Sequence, residues 1–247
     1  MVQTNLAFTL SFAMVIPAVF YILYRSILPY EPVMRDLKLA GALMFPFLLG
    51  AALGVFHILA DVGFIETGYA GLAFLLVYPL VASMMVVVVF NRRFFMKQAV
   101  APVYFGIGGA GLAMGLGGSE VFRALAAPAS QPSDAALMLS MFVLATSFIF
   151  VHTSKGLFLG VHYASSRRAR GLFLATAMEA PLGLLYLIGL LNVERTLTLA
   201  LMLLYGVGLH YWTWQVFFPS NMSQDLAKDL TRERRRIRRR HQVGKAP

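Results

Sequence analysis

Seven stretches of this chain, near residues 5–24, 39–60, 69–90, 99–119, 135–158, 171–192 and 196–218, are long, apolar and almost free of charge. A helix needs roughly 20 mainly apolar residues to cross a ~30 Å hydrocarbon core, and each stretch supplies about that many. The runs are continuous and show no two-residue alternation, so they read as helices and not as the strands of a barrel. Only 13% of the 247 residues are charged and 59% are hydrophobic, whereas a soluble domain carries about 25% charged residues. The expected fold is therefore all-α: a polytopic membrane helix bundle of about seven transmembrane helices over residues 1–218, followed by a basic cytoplasmic tail over 219–247. The first run has no basic segment before it and reads as a retained helix, not a secretory signal.

The fourth run is unusual because Gly106, Gly108, Gly109, Gly111, Gly115, Gly117 and Gly118 crowd it. Glycines let membrane helices approach closely, so the run reads as a tight helix–helix seam, with a re-entrant segment as the alternative. Pro17, Pro46, Pro79, Pro102 and Pro181 lie within or at the ends of five runs, where kinks are expected.

Orientation follows from the basic residues between the runs. Arg25, Arg35 and Lys38 lie in the first connection, Arg92, Arg93 and Lys97 in the third, and Arg167, Arg168 and Arg170 in the fifth. Nine more occupy the tail. The alternate connections hold only Arg123 and Arg195, beside Asp61, Glu66, Glu120, Asp134 and Glu194. This asymmetry predicts a multi-pass protein of the cytoplasmic (inner) membrane with its N-terminus outside and its C-terminus in the cytoplasm.

A shift of 95 residues lays the first three runs on the fourth to sixth and His57 on His152. Three runs per half would give the halves opposite orientation, a 3+3+1 inverted repeat of the kind found in transporters. Residue identity between the halves is poor, and evenly spaced helices superpose by chance. The last run lacks the lysine that a retinal protein needs.

Four ionisable residues fall within the last three runs. At 1.5 Å per residue, Glu179 lies about 20 Å below the outer boundary, His210 about 22 Å, His152 about 27 Å and Lys155 about 31 Å. His152 and Lys155, three residues apart, share a helix face. Such groups are costly in a bilayer and usually face the bundle interior or a wet cavity. Lys155 either snorkels to the inner headgroups or pairs with Glu179. Glu179 is too short to reach either interface, so it is a neutral hydrogen-bonding acid, an ion-pair partner, or a proton or ion site. His152 and His210 read first as helix–helix hydrogen-bonding residues. Facing histidines at matched depth are also what axial haem b ligation requires. Thiolate metal sites, Fe–S ligation, disulfides and cysteine nucleophiles are excluded, because the chain has no cysteine. No His-x-x-x-His pattern points to catalytic zinc.

A second polar group lies at the outer rim: His57 and Asp61 one helical turn apart, then Glu66, with Glu120 and Arg123 on the next outer connection. Its spacing suits a metal or cation entrance, and solvated helix ends explain it as well. Tyr69, Tyr163, Tyr211, Trp212, Trp214, Phe217 and Phe218 read as interface anchors.

Nine basic and three acidic residues after Pro219 give the tail +6 of the chain's +10. Ser223 can cap a tail helix whose acids come early and arginines late, as the helix dipole prefers. Besides the bilayer itself, the expected partners are anionic lipids at this tail and other membrane subunits or a second copy of the chain. Nucleic acid is not expected, because no reading module accompanies the charge. The first functional reading is a small transporter or channel with a polar pathway in the last three runs, built on Glu179, Lys155, His152 and His210. The second is a non-catalytic subunit of a larger, respiratory-type complex that binds lipid, quinone or haem. An intramembrane lipid enzyme is the third.

Overall fold

The apolar runs form helices in the computed structural model of the chain, which describes residues 2–59, 68–90, 95, 99–126, 135–190 and 195–243; no strand occurs among them. Helix α1 (Val2–Ile22) runs on through a π-helical turn, Leu23–Ile27, and a 3-10 turn, Leu28–Val33. There follow α2 (Asp36–Leu59), α3 (Gly68–Phe90), α4 (Ala101–Ala126), α5 (Ala135–Ala164) and α6 (Arg168–Leu190). Helix α7 (Arg195–Tyr211) continues through a π-helical segment, Trp212–Phe217, into a last turn, Phe218–Asn221. The tail forms α8 (Gln224–Val243). Among the described residues, Thr9–Val33, Asp36–Val55 and Ala135–Ala164 are long and apolar enough to cross a membrane. Pro17, Pro46, Pro79 and Pro181 all lie inside helices.

The glycine-rich run is one unbroken helix of 26 residues, α4, and every residue from Ala101 to Ala113 is buried. Its glycines permit this by removing side chains where neighbouring backbones come close. A Cβ on Gly109 would strike the carbonyl of His152 on α5, and one on Gly111 the carbonyl of Leu43 on α2. Helix α5 reciprocates: a Cβ on Gly156 would strike the carbonyl of Phe105. The helix–helix seam expected from the sequence is present, and α4 is continuous through it.

Opposed residues fix the helix directions. Gly109 faces His152 and Phe105 faces Gly156, so numbers rise along α4 as they fall along α5 and the two are antiparallel. Lys155 meets Glu179 and Phe148 meets Tyr186, so α5 and α6 are antiparallel too. Leu43 lies at Gly111 and Gly54 at Ser119, which makes α2 and α4 parallel. Phe150 meets His210 and Phe158 meets Phe217, which makes α5 and α7 parallel. The segment after α1 runs the same way, since Ser26 meets His210 and Tyr30 meets Trp214. Thus α1, α5 and α7 point one way and α2, α4 and α6 the other. The two halves are not packed alike: α4 lies along α5 over its length, whereas α1 packs chiefly on α4 and α5.

Large apolar side chains cover the outside, among them Phe20 (65% exposed), Phe45 (61%), Leu139 (64%), Phe173 (73%) and Leu204 (68%). Lys38, Glu120, Lys155 and Glu179 are buried inside, a combination rare in soluble proteins. Not all the aromatics expected as anchors lie outside: Tyr211 and Trp212 are exposed, but Tyr163, Trp214 and Phe218 are buried among the helix ends. Trp214 and Phe218 lie in the parallel seam between α7 and the segment after α1, where Tyr30 packs on both, and Tyr163 packs on Phe105 of α4.

The tail helix is docked at its start. Ser223 Oγ accepts the Leu226 N–H at 3.2 Å, so the expected cap is in place. Leu226 and Leu230 are buried, and an Arg234 N–H donates to the carbonyl of Pro29 at 3.2 Å.

Candidate functional site

Helix α5 is buried all round from Leu144 to Tyr163, yet it carries Thr146, Ser147, His152, Thr153, Ser154 and Lys155. Three of its hydroxyls are satisfied within the helix: Ser147 donates to Val143 at 2.7 Å, Thr153 to Ile149 at 2.6 Å and Ser154 to Phe150 at 2.7 Å. This back-bonding is the common solution for Ser and Thr inside helices. Lys155 and His152 have no such local solution and reach across to α6.

Glu179 receives both. The Lys155 ammonium donates to Glu179 Oε2, and His152 Nε2 lies 3.4 Å from Oε1. Lys155 and His152 are wholly buried and Glu179 is 3% exposed. Of the two expectations for Lys155, pairing therefore holds and snorkelling does not. The physical reason is burial by neighbours: Lys155 lies in the turn before Gly156, which sits directly on α4. Neither ring nitrogen of His152 makes a hydrogen bond, because its contact with Glu179 is poorly aligned. The ring is held by stacking on Phe148, with centroids 6.0 Å apart and planes 26° from parallel. The Tyr205 hydroxyl donates to the carbonyl of Met178 at 2.5 Å.

His210 does not join this group. Its Nε2 shares a hydrogen bond of 2.9 Å with Ser26 Oγ, and its ring packs on Phe150 at 4.9 Å. Phe150 and His152 are two residues apart and so point to nearly opposite sides of α5, about 200° around the helix. The two histidines serve different seams and do not face one another as axial haem ligands would. Among the described residues, no group of three or more His, Asp or Glu is placed to hold a metal ion.

The outer-rim residues fare differently from one another. Asp61 and Glu66 lie outside the described residues; His57 lies on α2, and its side chain is likewise outside them. Glu120 and Arg123 are close together, but not as solvated helix ends. Glu120 is buried, and its Oε2 accepts from Arg123 at 2.7 Å and from the Tyr186 hydroxyl at 2.9 Å. The same Arg123 nitrogen donates to Tyr186 Oη at 2.9 Å, which closes a three-membered ring. Arg123 stands beyond the apolar run 99–119, in the last turn of α4. Burial opposes its charge, but the Glu120 carboxylate and Tyr186 outweigh it and hold the guanidinium pKa above the ordinary arginine value.

Tyr186 is not among the candidate residues read from the sequence. The signal for Tyr186 was present: it follows Glu179 by seven residues, two helical turns on one face. A cavity of about 750 Å³ opens at the opposite end of the bundle, where His162, Arg167, Arg170, Asn221 and Asp225 line it; Lys155 and Glu179 do not. Comparison with protein-family models, curated proteins and solved structures gave no match.

Proposed function

We propose that this chain is an integral membrane protein of seven spans, N-terminus outside and C-terminus in the cytoplasm, and that it works as a small transporter or channel for protons or small cations. Glu179 is the site, Lys155 its charge partner, and His152 the neighbouring group able to take or give a proton; His210 braces the seam beside them. The observation that carries this reading is a fully buried Lys–Glu–His group inside a bundle whose outer surface is apolar. A buried ion pair adds little stability over well-packed apolar residues of the same volume. Ionisable groups retained at membrane depth are, by default, parts of ion or proton paths. The opposed directions of α1, α5 and α7 against α2, α4 and α6, with the one-sided basic residues, support the seven-span arrangement. An inverted repeat is not part of this reading, because the halves pack differently.

The test is flux in liposomes. Purified protein with a trapped pH dye and an imposed potassium diffusion potential should acidify the lumen, and sodium- and potassium-sensitive dyes should report any cation current. Flux should vanish in Glu179→Gln and stay absent in Lys155→Met/Glu179→Gln, where the charge imbalance is removed. Flux indistinguishable from empty liposomes, or unchanged in Glu179→Gln, would overturn the proposal. The exposed arginines Arg232, Arg235 and Arg236 on α8 favour a second reading, a subunit that docks in a larger membrane complex. Stable co-purification of other membrane proteins in mild detergent, with no flux from the isolated chain, is its signature.

A further inference from the structure

The cavity beside the turn between α5 and α6 has no part in the transport reading, and its lining suits a ligand of its own. We infer that it holds the headgroup of an aminophospholipid of the cytoplasmic leaflet, with the phosphate on Arg167 and Arg170 and the ammonium at Asp225. The inference rests on the membrane placement proposed above, with this end in the cytoplasm, and is independent of transport.

The lining is of two kinds. Pro102, Val161, Phe218 and Leu226 are buried, whereas Arg167, Arg170 and Asp225 are exposed. The volume of about 750 Å³ falls among those of small-molecule sites, about 300–1,000 Å³. Buried apolar lining beside exposed charge suits an amphiphile; a bare ion would leave the apolar part unused.

The charged groups are uncommitted. Of the three arginines in this connection, Arg168 lies over the Tyr163 ring, 5.7 Å from its centroid. Arg167 and Arg170 line the cavity instead. Among the described residues neither forms an ion pair, and Asp225 in the same lining forms none either. Guanidinium forks match phosphate oxygens, and basic pockets between helices on the cytoplasmic side bind phospholipid headgroups. Two arginines alone would favour a purely anionic headgroup. An unpaired carboxylate beside them calls for a cation in the same ligand, and phosphoethanolamine carries one.

The backbone holds these residues in place. Ser166 takes the left-handed conformation, φ 60°, and closes α5 with two bonds. Its N–H donates to the Tyr163 carbonyl at 3.3 Å, and the Arg167 N–H donates to the His162 carbonyl at 2.9 Å. His162, also in the lining, is fixed in turn: its Nδ1–H donates to the Phe158 carbonyl at 3.0 Å, and Phe217 lies parallel to its ring at 6.1 Å. Gly171 brings α6 against the His162 side chain, with no room for a Cβ. Asp225 is set by the capped first turn of α8, where Leu226 is buried.

The experiment is thermal unfolding of the full chain, stripped of lipid in detergent. It is titrated with phosphatidylethanolamine, phosphatidylglycerol, inorganic phosphate or soluble phosphoethanolamine. Phosphatidylethanolamine should raise the unfolding midpoint most, by roughly 5 °C or more near saturation. Arg167→Gln/Arg170→Gln should abolish the rise for both lipids; the two side chains are exposed, and the midpoint without lipid checks that the variant folds. Asp225→Asn should keep a rise but lose the preference for phosphatidylethanolamine. Deleting residues 232–247 should leave the rise intact, which separates the cavity from the arginine-rich tail. An equal or larger rise with phosphatidylglycerol overturns the ammonium assignment. An equal rise with inorganic phosphate or soluble phosphoethanolamine overturns the lipid. A rise undiminished in the double arginine variant, or no rise with either lipid, overturns the site, and none of these outcomes bears on flux.

Discussion

Lys155 and Glu179 face one another across the antiparallel seam of α5 and α6, each buried to 3% exposure or less. Removing one charge leaves the other uncompensated, at a cost of about 3–5 kcal/mol, whereas removing both can be nearly neutral. Lys155→Met and Glu179→Gln should each lower thermal stability in detergent, and the double variant should recover most of the loss. Small and additive effects would show that the two charges do not depend on each other.

Gly109 offers a test of the seam that positions this pair. Alanine there puts a methyl group against the His152 carbonyl, which a rigid backbone cannot yield. Overpacking of this kind costs about 1–3 kcal/mol. At Gly118 a Cβ meets nothing within 4 Å, so Gly118→Ala should be neutral or should gain up to about 1 kcal/mol of helix propensity. In one detergent the unfolding midpoint should therefore fall for Gly109→Ala and hold or rise for Gly118→Ala.

Much of this architecture could be read before any coordinates. Run lengths set helix number and place, the glycines announced a close-packed helix, and Ser223 marked the start of the tail helix. Spacing alone puts His152 and Lys155 on one face, but it leaves open whether Lys155 snorkels or pairs with Glu179. Pairwise facing was harder to read. Depth put His152 and His210 at similar levels, but rotation about α5 sends them to different neighbours, and periodicity within one helix does not say which helix lies opposite. Glu120 was assigned to a wet rim because it follows the apolar run. Its burial depends on Tyr186, 66 residues away, for which no local pattern stands.

Orientation can be read chemically because the chain has no cysteine. A cysteine at Thr196, exposed at the start of α7, should react with an impermeant thiol reagent in intact cells. One at Ser166, exposed in the turn between α5 and α6, should react only after lysis. The reverse pattern would invert the topology, and labelling of both in intact cells would break it.

The tail separates into a docked and a free part. Leu226 and Leu230 hold its first turns to the bundle, and seven arginines follow from Arg232 onward. Deleting residues 232–247 should leave an inserted, folded bundle. It should also weaken binding to vesicles rich in anionic lipid, with the difference fading as salt rises. Loss of insertion would make the arginines a requirement for membrane entry.

The bond between Ser26 and His210 joins residues 184 positions apart, and that between Arg234 and Pro29 spans 205. Ribosomes add about 5–20 residues per second, so roughly ten to forty seconds separate the synthesis of these partners. Throughout that interval the end of the first helix has been made and its lasting neighbour has not. Assembly of this protein is thus a ring that closes last where it began, when α7 reaches Ser26 and Tyr30.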